Sequence, residues 1–356
     1  MSKQYAGWDV GGAHLKVAAL NEDGLLWIGQ EPCPLWQGLD RLESALAALT
    51  ERMSLKPGCQ HIITMTGELA DCFLTRQAGV ETLANLMQRH LSPDPVRFFD
   101  GSEDFLNTAQ ATIHWKRLAS ANWMATARWA CRFLQNALLV DIGSTTTDII
   151  TLRDGAIRVR GYSDEARMRY DELLYTGVVR TPLMALTRHI PHAGEWTTIM
   201  AEHFATTADV YRLTGELTGT VDQSPAADGG EKTLSGSARR LARMLGTEAE
   251  SFPLDYWQMN ARFWRERQLE PIRAALERHL SGGGWPADAP LVGVGIGRFL
   301  VQECATRLQR PYRDINAIFP PCISTPAFSA ADCTPAAALV CLASSRITGF
   351  PDDDPN

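Results

Sequence analysis

The eight cysteines include no CxxC pair and stand scattered along 356 residues. That excludes a cysteine-rich zinc ribbon and leaves free, buried thiols in a reducing compartment as the expectation. Excess positive charge is also missing: 34 basic residues stand against 41 acidic ones, a formal net charge of −7, and no basic cluster emerges. A nucleic-acid partner is therefore not expected. No apolar run approaches the roughly 18 residues of a membrane span, and the N-terminus shows no charged-then-apolar signal pattern. The expectation is a cytoplasmic protein without a membrane partner. What the chain does have is 45% hydrophobic residues, enough to bury a sizeable core, most simply in two lobes.

The most informative stretch is 136–152, NALLVDIGSTTTDIITL. An apolar run ends at Asp141, a polar turn holds Gly143, Ser144, Thr145, Thr146 and Thr147, and a second apolar run follows Asp148: the pattern of a β-hairpin. Backbone N–H groups in such a turn, joined by hydroxyls, can grip phosphate oxygens, and a strand-end carboxylate suits hydrated Mg²⁺. A surface hairpin with Ser and Thr filling the turn fits the same residues. A second copy of the pattern opens the chain, where 5–10 leads through Asp9 into Gly11-Gly12-Ala13-His14 and out through 15–20. Two such hairpins suggest a duplicated fold with two phosphate loops.

The pair resembles the two phosphate loops of the superfamily of actin, sugar kinases and heat-shock chaperones. A third element fits the resemblance: Leu291-Val292-Gly293-Val294-Gly295-Ile296-Gly297 reads as a buried strand, a Gly turn and then a helix, where those proteins keep their adenosine loop. Four segments narrow it, TMTGELAD (64–71), VDIGSTTTDI (140–149), YTGVVRTPL (175–183) and FATTADVYRL (204–213). They look like the hydantoinase A/oxoprolinase-like branch, and within it most like tetrahydromethanopterin-linked C1-transfer proteins, whose archaeal relatives are methanofuran synthases. The resemblance implies an α/β, two-lobed actin-like ATPase fold (a ribonuclease H-like unit, duplicated) with a central cleft. The expected division is 1–135 with the first phosphate loop, and 136–356 with the second. The latter would also carry a polar specificity insertion at 204–246, the adenosine-like loop at 291–298 and a C-terminal helix of the kind that crosses between lobes.

Along the chain, apolar spacing predicts helices over 39–53, 119–135, 256–280, 299–308 and 334–347, with a short acidic tail at 350–356 expected to fray. The Trp and Ala stripe of 119–135 reads as core. The strand 61–65 delivers Thr66, Gly67 and Glu68 to its C-terminal end, the edge where α/β sheets bind ligands. Glu68 is a candidate base or substrate clamp, or else an acid near the start of the next helix. In 175–182, Gly177 permits a close backbone approach, and Arg180 is a candidate for diphosphate or a partner for a surface acid. In 204–246, Asp209, Asp228, Arg239 and Arg243 are candidate substrate contacts. Arg239 and Arg243 stand at i, i+4, where both can point at one polyanion; the loop 225–230 reads equally as a disordered insertion.

Asp9 and Asp141 are the candidate metal residues, expected to face one another across the cleft and hold Mg²⁺ through waters; turn capping is the alternative. Lys16 lies two residues past His14, so both can share a strand face. The Lys16 ammonium suits a phosphate. His14 replaces the Ser or Thr common at that turn in kinases and can donate to a phosphate oxygen, act as acid or base, or simply sit exposed. The third loop departs from the kinase pattern: Arg298 directly follows Gly297, where kinases keep a small residue. A large cation there suits a second anion better than a nucleoside, which disfavours ATP.

The resemblance thus implies a transferase joining an aminomethyl-furanylmethyl diphosphate to the phenol of tyramine or γ-glutamyl-tyramine, with release of diphosphate and Asp209 or Glu68 taking the phenolic proton. The alternatives are an ATP-dependent kinase or a hydantoinase-type hydrolase subunit, and a nucleotide-switched assembly protein. A homodimer is compatible with everything above.

Overall fold

The computed structural model describes residues 4–21, 23–53, 55–102, 105–217, 219–323 and 328–345. The acidic tail at 350–356 and the end of the helix expected over 334–347 lie outside them.

The chain begins with β1 (Tyr5–Val10), β2 (His14–Leu20) and β3 (Leu26–Pro32), then α1 (Asp40–Met53) and β4 (Gln60–Met65). There follow α2 (Arg76–Leu91), β5 (Val96–Phe99), β6 (Phe105–Leu106), α3 (Thr108–Ile113), α4 (Trp115–Leu118) and α5 (Asn122–Cys131). The second hairpin is β7 (Ala137–Ile142) and β8 (Thr147–Arg153), followed by β9 (Ala156–Ile157), α6 (Asp164–Arg169) and β10 (Leu173–Leu174). A small hairpin, β11 (His189–His192) and β12 (Glu195–Thr198), precedes α7 (Thr207–Thr214), α8 (Leu234–Met244) and α9 (Leu254–Ser281). The chain ends with β13 (Leu291–Val294), α10 (Arg298–Arg307), β14 (Tyr312–Asp314) and α11 (Thr334–Ser345).

These elements form two compact units, Met1–Gln135 with Gly155–Ile157 and Ile315–Asn356, and Asn136–Asp154 with Arg158–Asp314. In the first unit the sheet order is β3-β2-β1-β4-β5-β6. β1 pairs antiparallel with β2 and parallel with β4, which pairs parallel with β5. In the second the order is β10-β8-β7-β13-β14, with β7 antiparallel to β8 and parallel to β13, which is parallel to β14. The same wiring appears twice: a hairpin whose first strand pairs with one parallel strand, which in turn takes a second parallel neighbour. Parallel pairing requires crossover helices that cover the sheet, so β1 and β13 are buried along their length, and β4 and β7 everywhere but at Gln60 and Asp141.

The division differs from the expected one at the C-terminus, because α11 belongs to the first unit. Gly7 explains the placement: a Cβ there would lie 2.2 Å from the Ala336 carbonyl oxygen, so α11 rests directly on the backbone of β1. The helix is apolar all round, Ala336 to Val340 being fully buried, as a helix sunk against a sheet requires. The other face of the first sheet packs against α1 and α2 through Leu42, Leu46, Leu83 and Met87. Trp123 and Ala127 of α5 are buried, as the expected core stripe required.

Candidate functional site

In the second unit three segments meet at the C-terminal end of β7. The turn closes by a bond from the Gly143 N–H to the Thr146 carbonyl at 2.9 Å, leaving Ser144, Thr145 and Thr146 half-exposed. Thr147 is buried and donates instead to the Thr176 carbonyl at 2.7 Å. The 175–181 loop lies against this turn: Val178 N–H donates to the Gly143 carbonyl at 3.0 Å, and the N–H groups of Val179 and Arg180 reach the Ser144 carbonyl at 3.1 and 2.9 Å. Gly177 makes the approach possible, since a Cβ there would sit 2.4 Å from the Thr145 nitrogen. The third segment follows β13. Gly297 N–H donates to the Ile142 carbonyl at 2.8 Å, and Gly295 has φ +78 with its Cβ position 2.4 Å from Asp141 Oδ1. Only glycine brings the chain this close to the carboxylate. Arg180 is half-buried, and burial lowers its pKa from the ordinary arginine range.

The first unit repeats this geometry at the end of β1. Gly11 N–H donates to the His14 carbonyl at 3.0 Å, as Gly143 does to Thr146, and Thr66 N–H donates to the Val10 carbonyl at 3.0 Å, as Gly297 does to Ile142. The Gly67 Cβ position lies 3.1 and 3.3 Å from the Val10 and Gly11 carbonyls. Thr66-Gly67-Glu68 is thus the first unit's counterpart of Gly295-Ile296-Gly297, an equivalence the sequence reading missed; the shared signal is a Gly within two residues of the end of a parallel strand. Asp9 and Asp141 each stand one residue from the end of their strand. Asp9 is buried, faces Lys16 on β2 and Thr64 on β4 in register, and has Asn122 Nδ2 at 3.5 Å. The buried Thr64 hydroxyl beside it has no hydrogen-bond partner among the described residues. Lys16 Nζ donates to the Asp332 carbonyl at 2.9 Å. His14 is buried at the start of β2 and so is not an exposed turn residue. Gly12 lends its carbonyl to Leu35 N–H at 3.0 Å.

Several candidates are turned to other work. Glu68 is buried, with Arg76 Nη2 at 2.8 Å and Ser120 Oγ at 3.2 Å from its Oε1, so it anchors an ion pair under α2. Arg298 does not reach out for an anion: its Nε meets Asp314 at 3.0 Å and its Nη1 the Gly295 carbonyl at 2.8 Å, bracing the third turn from behind. Asp209 is 1% exposed and receives Arg240 Nε at 2.8 Å, Ser237 Oγ at 2.8 Å, Arg212 at 3.2 Å and the Thr206 N–H at 3.1 Å. A carboxylate so occupied is a structural anchor rather than a proton acceptor. The Thr206-x-x-Asp209 spacing, the signature of a helix start, is the signal that identifies it.

The expected Arg239 and Arg243 pair is likewise replaced. Arg239 is exposed, Arg243 meets Asp228 at 3.1 Å, and the neighbouring Arg240 is the buried one, reaching Asp228 at 3.0 Å as well as Asp209. Arg240 falls in phase with Ser237, Leu241 and Met244 on the buried stripe of α8, which the helical spacing could have shown. Asp228 is therefore held by two guanidinium groups. Against the upward push of burial, the Gly230 N–H and Arg240 and Arg243 keep it below the usual carboxylate range. Arg212 also binds Asp222, whose carbonyl accepts from Lys232 at 2.7 Å. The 204–246 segment is tied down by charge pairs.

Among the described residues no three His, Cys, Asp or Glu side chains cluster into a metal cage, and no helix is long and apolar enough to cross a membrane.

Two units with the same hairpin-plus-parallel-strand wiring, each with an Asp next to last in its first strand and a Gly turn after it, define a duplicated α/β protein with the actin-like fold. The chain belongs to the hydantoinase/oxoprolinase family, whose sequence profile matches residues 61–336, and it is an enzyme of that family. It is 31% identical over 245 residues to a Methanocaldococcus jannaschii protein named (4-{4-[2-(gamma-L-glutamylamino)ethyl]phenoxymethyl}furan-2-yl)methanamine synthase, covering 68% of this chain and 72% of the relative. A Methanococcus vannielii protein of the same name is 33% identical over 121 residues, 34% of this chain and 54% of its own. Among solved structures, nucleotide-free acetone carboxylase aligns over 86% of this chain and 67% of its own with TM-score 0.50 at 10% identity, a likeness of fold alone.

Proposed function

We propose that this enzyme forms an aryl-alkyl ether in methanofuran biosynthesis. The phenolic oxygen of tyramine or γ-glutamyl-tyramine attacks the methylene of an aminomethyl-furanylmethyl diphosphate. The bond from that carbon to diphosphate oxygen breaks, diphosphate leaves with the electron pair, and the phenolic proton passes to a base. The observation that carries this reading is the 31% identity over 72% of a relative whose name describes a phenoxymethyl bridge to a furan.

The chemistry matches what the residues offer. A furanylmethyl carbon sheds its leaving group readily once the departing negative charge is neutralised. In the second unit the hydroxyls of Ser144, Thr145 and Thr146 and the guanidinium of Arg180 suit a polyanion; in the first, Gly11, Gly12, His14 and Lys16 do. Mg²⁺ favours one or two carboxylates, substrate phosphates and retained waters over a protein cage. Asp141, with the Gly295 backbone pressed against it, and Asp9, beside the Thr64 hydroxyl, fit that coordination. Bound Mg²⁺ would supply charge neutralisation for the leaving diphosphate. Asp209 is too thoroughly ion-paired to serve as the base, and Glu68 is held through its Oε1 by Arg76 and Ser120.

One observation favours a second reading, an ATP-dependent kinase or hydrolase. With Arg298 drawn back to Asp314, a nucleoside is not opposed by that cation. Calorimetric titration with Mg-diphosphate and, separately, Mg-ATP separates the two. Diphosphate binding without ATP binding supports the transferase. Tight ATP binding with slow hydrolysis overturns it.

A further inference from the structure

Gln268 lies midway along α9 with no exposed surface. A buried amide costs desolvation that an apolar side chain would avoid, so its bonds explain its presence. The Tyr211 hydroxyl donates to Gln268 Oε1 at 2.6 Å. Burial raises the Tyr211 pKa well above its ordinary value, which keeps that hydroxyl a donor. With Oε1 so engaged, Nε2 faces the 175–181 loop, donating to the Thr176 hydroxyl at 2.9 Å and the Gly177 carbonyl at 2.8 Å. Thr207 Oγ1 donates to the same carbonyl at 2.8 Å. Two donors on one carbonyl fix the plane of the peptide that follows Gly177, and the next three N–H groups are those that grip the Gly143 and Ser144 carbonyls. The Tyr211 ring meets Phe299, on the first turn of α10, edge-on at 5.2 Å between centroids. One tyrosine therefore touches the brace of one loop and the helix that follows the other.

We propose that Gln268, oriented by Tyr211, is a positioning residue for the anion bound at the Gly143–Thr146 turn. It touches no substrate. It sets the Gly177 peptide, which sets the turn whose hydroxyls and N–H groups receive phosphate oxygens. The proposal rests on the diphosphate reading above.

The test uses the full-length protein, Gln268→Met, which keeps length without hydrogen bonds, and Tyr211→Phe, which removes only the orienting hydroxyl and guards against a failure of the first variant to fold. Without ligand, the amides of 178–180 exchange faster with deuterium in both variants, while those of 60–68 in the first unit do not change. Unchanged exchange at 178–180 overturns the brace whatever the ligand. Mg-diphosphate affinity, measured on folded protein well below its Tm, weakens about tenfold in Gln268→Met, which loses three buried bonds, and about threefold in Tyr211→Phe, which loses one. A lowered Tm with affinity unchanged also overturns it, since that is what a merely structural role gives. Wild-type protein that binds no diphosphate, alongside faster exchange in the variants, defeats the diphosphate reading while leaving the brace standing.

Discussion

Asp141 and Asp209 show how differently two carboxylates of one unit can be employed. Asp141 stands half-exposed at a strand end, with the Gly295 backbone against it; Asp209 is enclosed by two arginines. Asp141→Asn keeps the volume and removes the charge that, on the proposed reading, would orient metal-bound water. We expect kcat to fall by on the order of a hundredfold or more, with Tm unchanged; near-normal turnover would remove the central hairpin from the site. Asp209→Ala acts in the opposite sense. It leaves the almost fully buried Arg240 without its closest carboxylate, a loss on the order of 3–5 kcal/mol for a buried pair, measurable by chemical denaturation. Turnover lost at full stability would return Asp209 to the role of base. Asp141 was legible in the sequence because its signal is local, an apolar strand, Asp and a Gly turn within a few residues. The partners of Asp209 were not, because Arg240 lies 31 positions away and only the phase of α8 turns it inward.

At the scale of elements, the two hairpins and their following turns are the same device used twice, and glycine decides how closely each can be approached. Gly7 and Gly177 meet backbone atoms at similar distances, 2.2 and 2.4 Å from their Cβ positions, but the consequences differ. Gly7→Ala pushes α11 off β1 and is expected to cost about 1–3 kcal/mol of stability, as overpacking does, with anion affinity unchanged. Gly177→Ala displaces the loop that grips Ser144, and its expected effect is a loss of Mg-diphosphate affinity of about tenfold or more, the equivalent of at least one lost bond. Comparing Tm and calorimetric affinity for both variants checks the contrast; equal losses in both measurements would mean that the 175–181 loop is scaffold only. The hairpins and long helices could be read from periodicity. The match between 66–68 and 295–297 leaves only a Gly after the strand in the sequence, because the rest of it lies in backbone bonds to the end of the neighbouring parallel strand and not in shared side chains.

At the scale of the molecule, a C-terminal helix of the lobe-crossing kind was expected from the resemblance, but its membership of the first unit was not: α11 is apolar on every side, which says that it is buried but not against which sheet. Each unit also holds a histidine whose pKa is lowered chiefly by burial, His61 in the first and His279 in the second. His61 Nδ1 accepts from Trp8 Nε1 at 3.0 Å, so that nitrogen is unprotonated in the folded protein. Charging the ring would take the lone pair from Trp8, and Asp94 at 3.7 Å only partly offsets the cost. His279 meets the Asp171 carbonyl at 3.1 Å, which likewise opposes burial without overcoming it. A histidine with a lowered folded pKa binds fewer protons folded than unfolded. Its contribution is therefore fully present above the unfolded value near 6.5 and declines as pH falls from there towards the folded pKa. Stability should drop on acidification below about pH 6.5 by at most about 1.4 kcal/mol per pH unit for each histidine. His61→Gln retains an acceptor for Trp8 but does not titrate, so calorimetric unfolding between pH 7.5 and 5.5 should show a shallower dependence on pH in that variant, and shallower still when combined with His279→Gln. A slope identical to the wild type in the double variant would show that neither ring is held neutral by the fold.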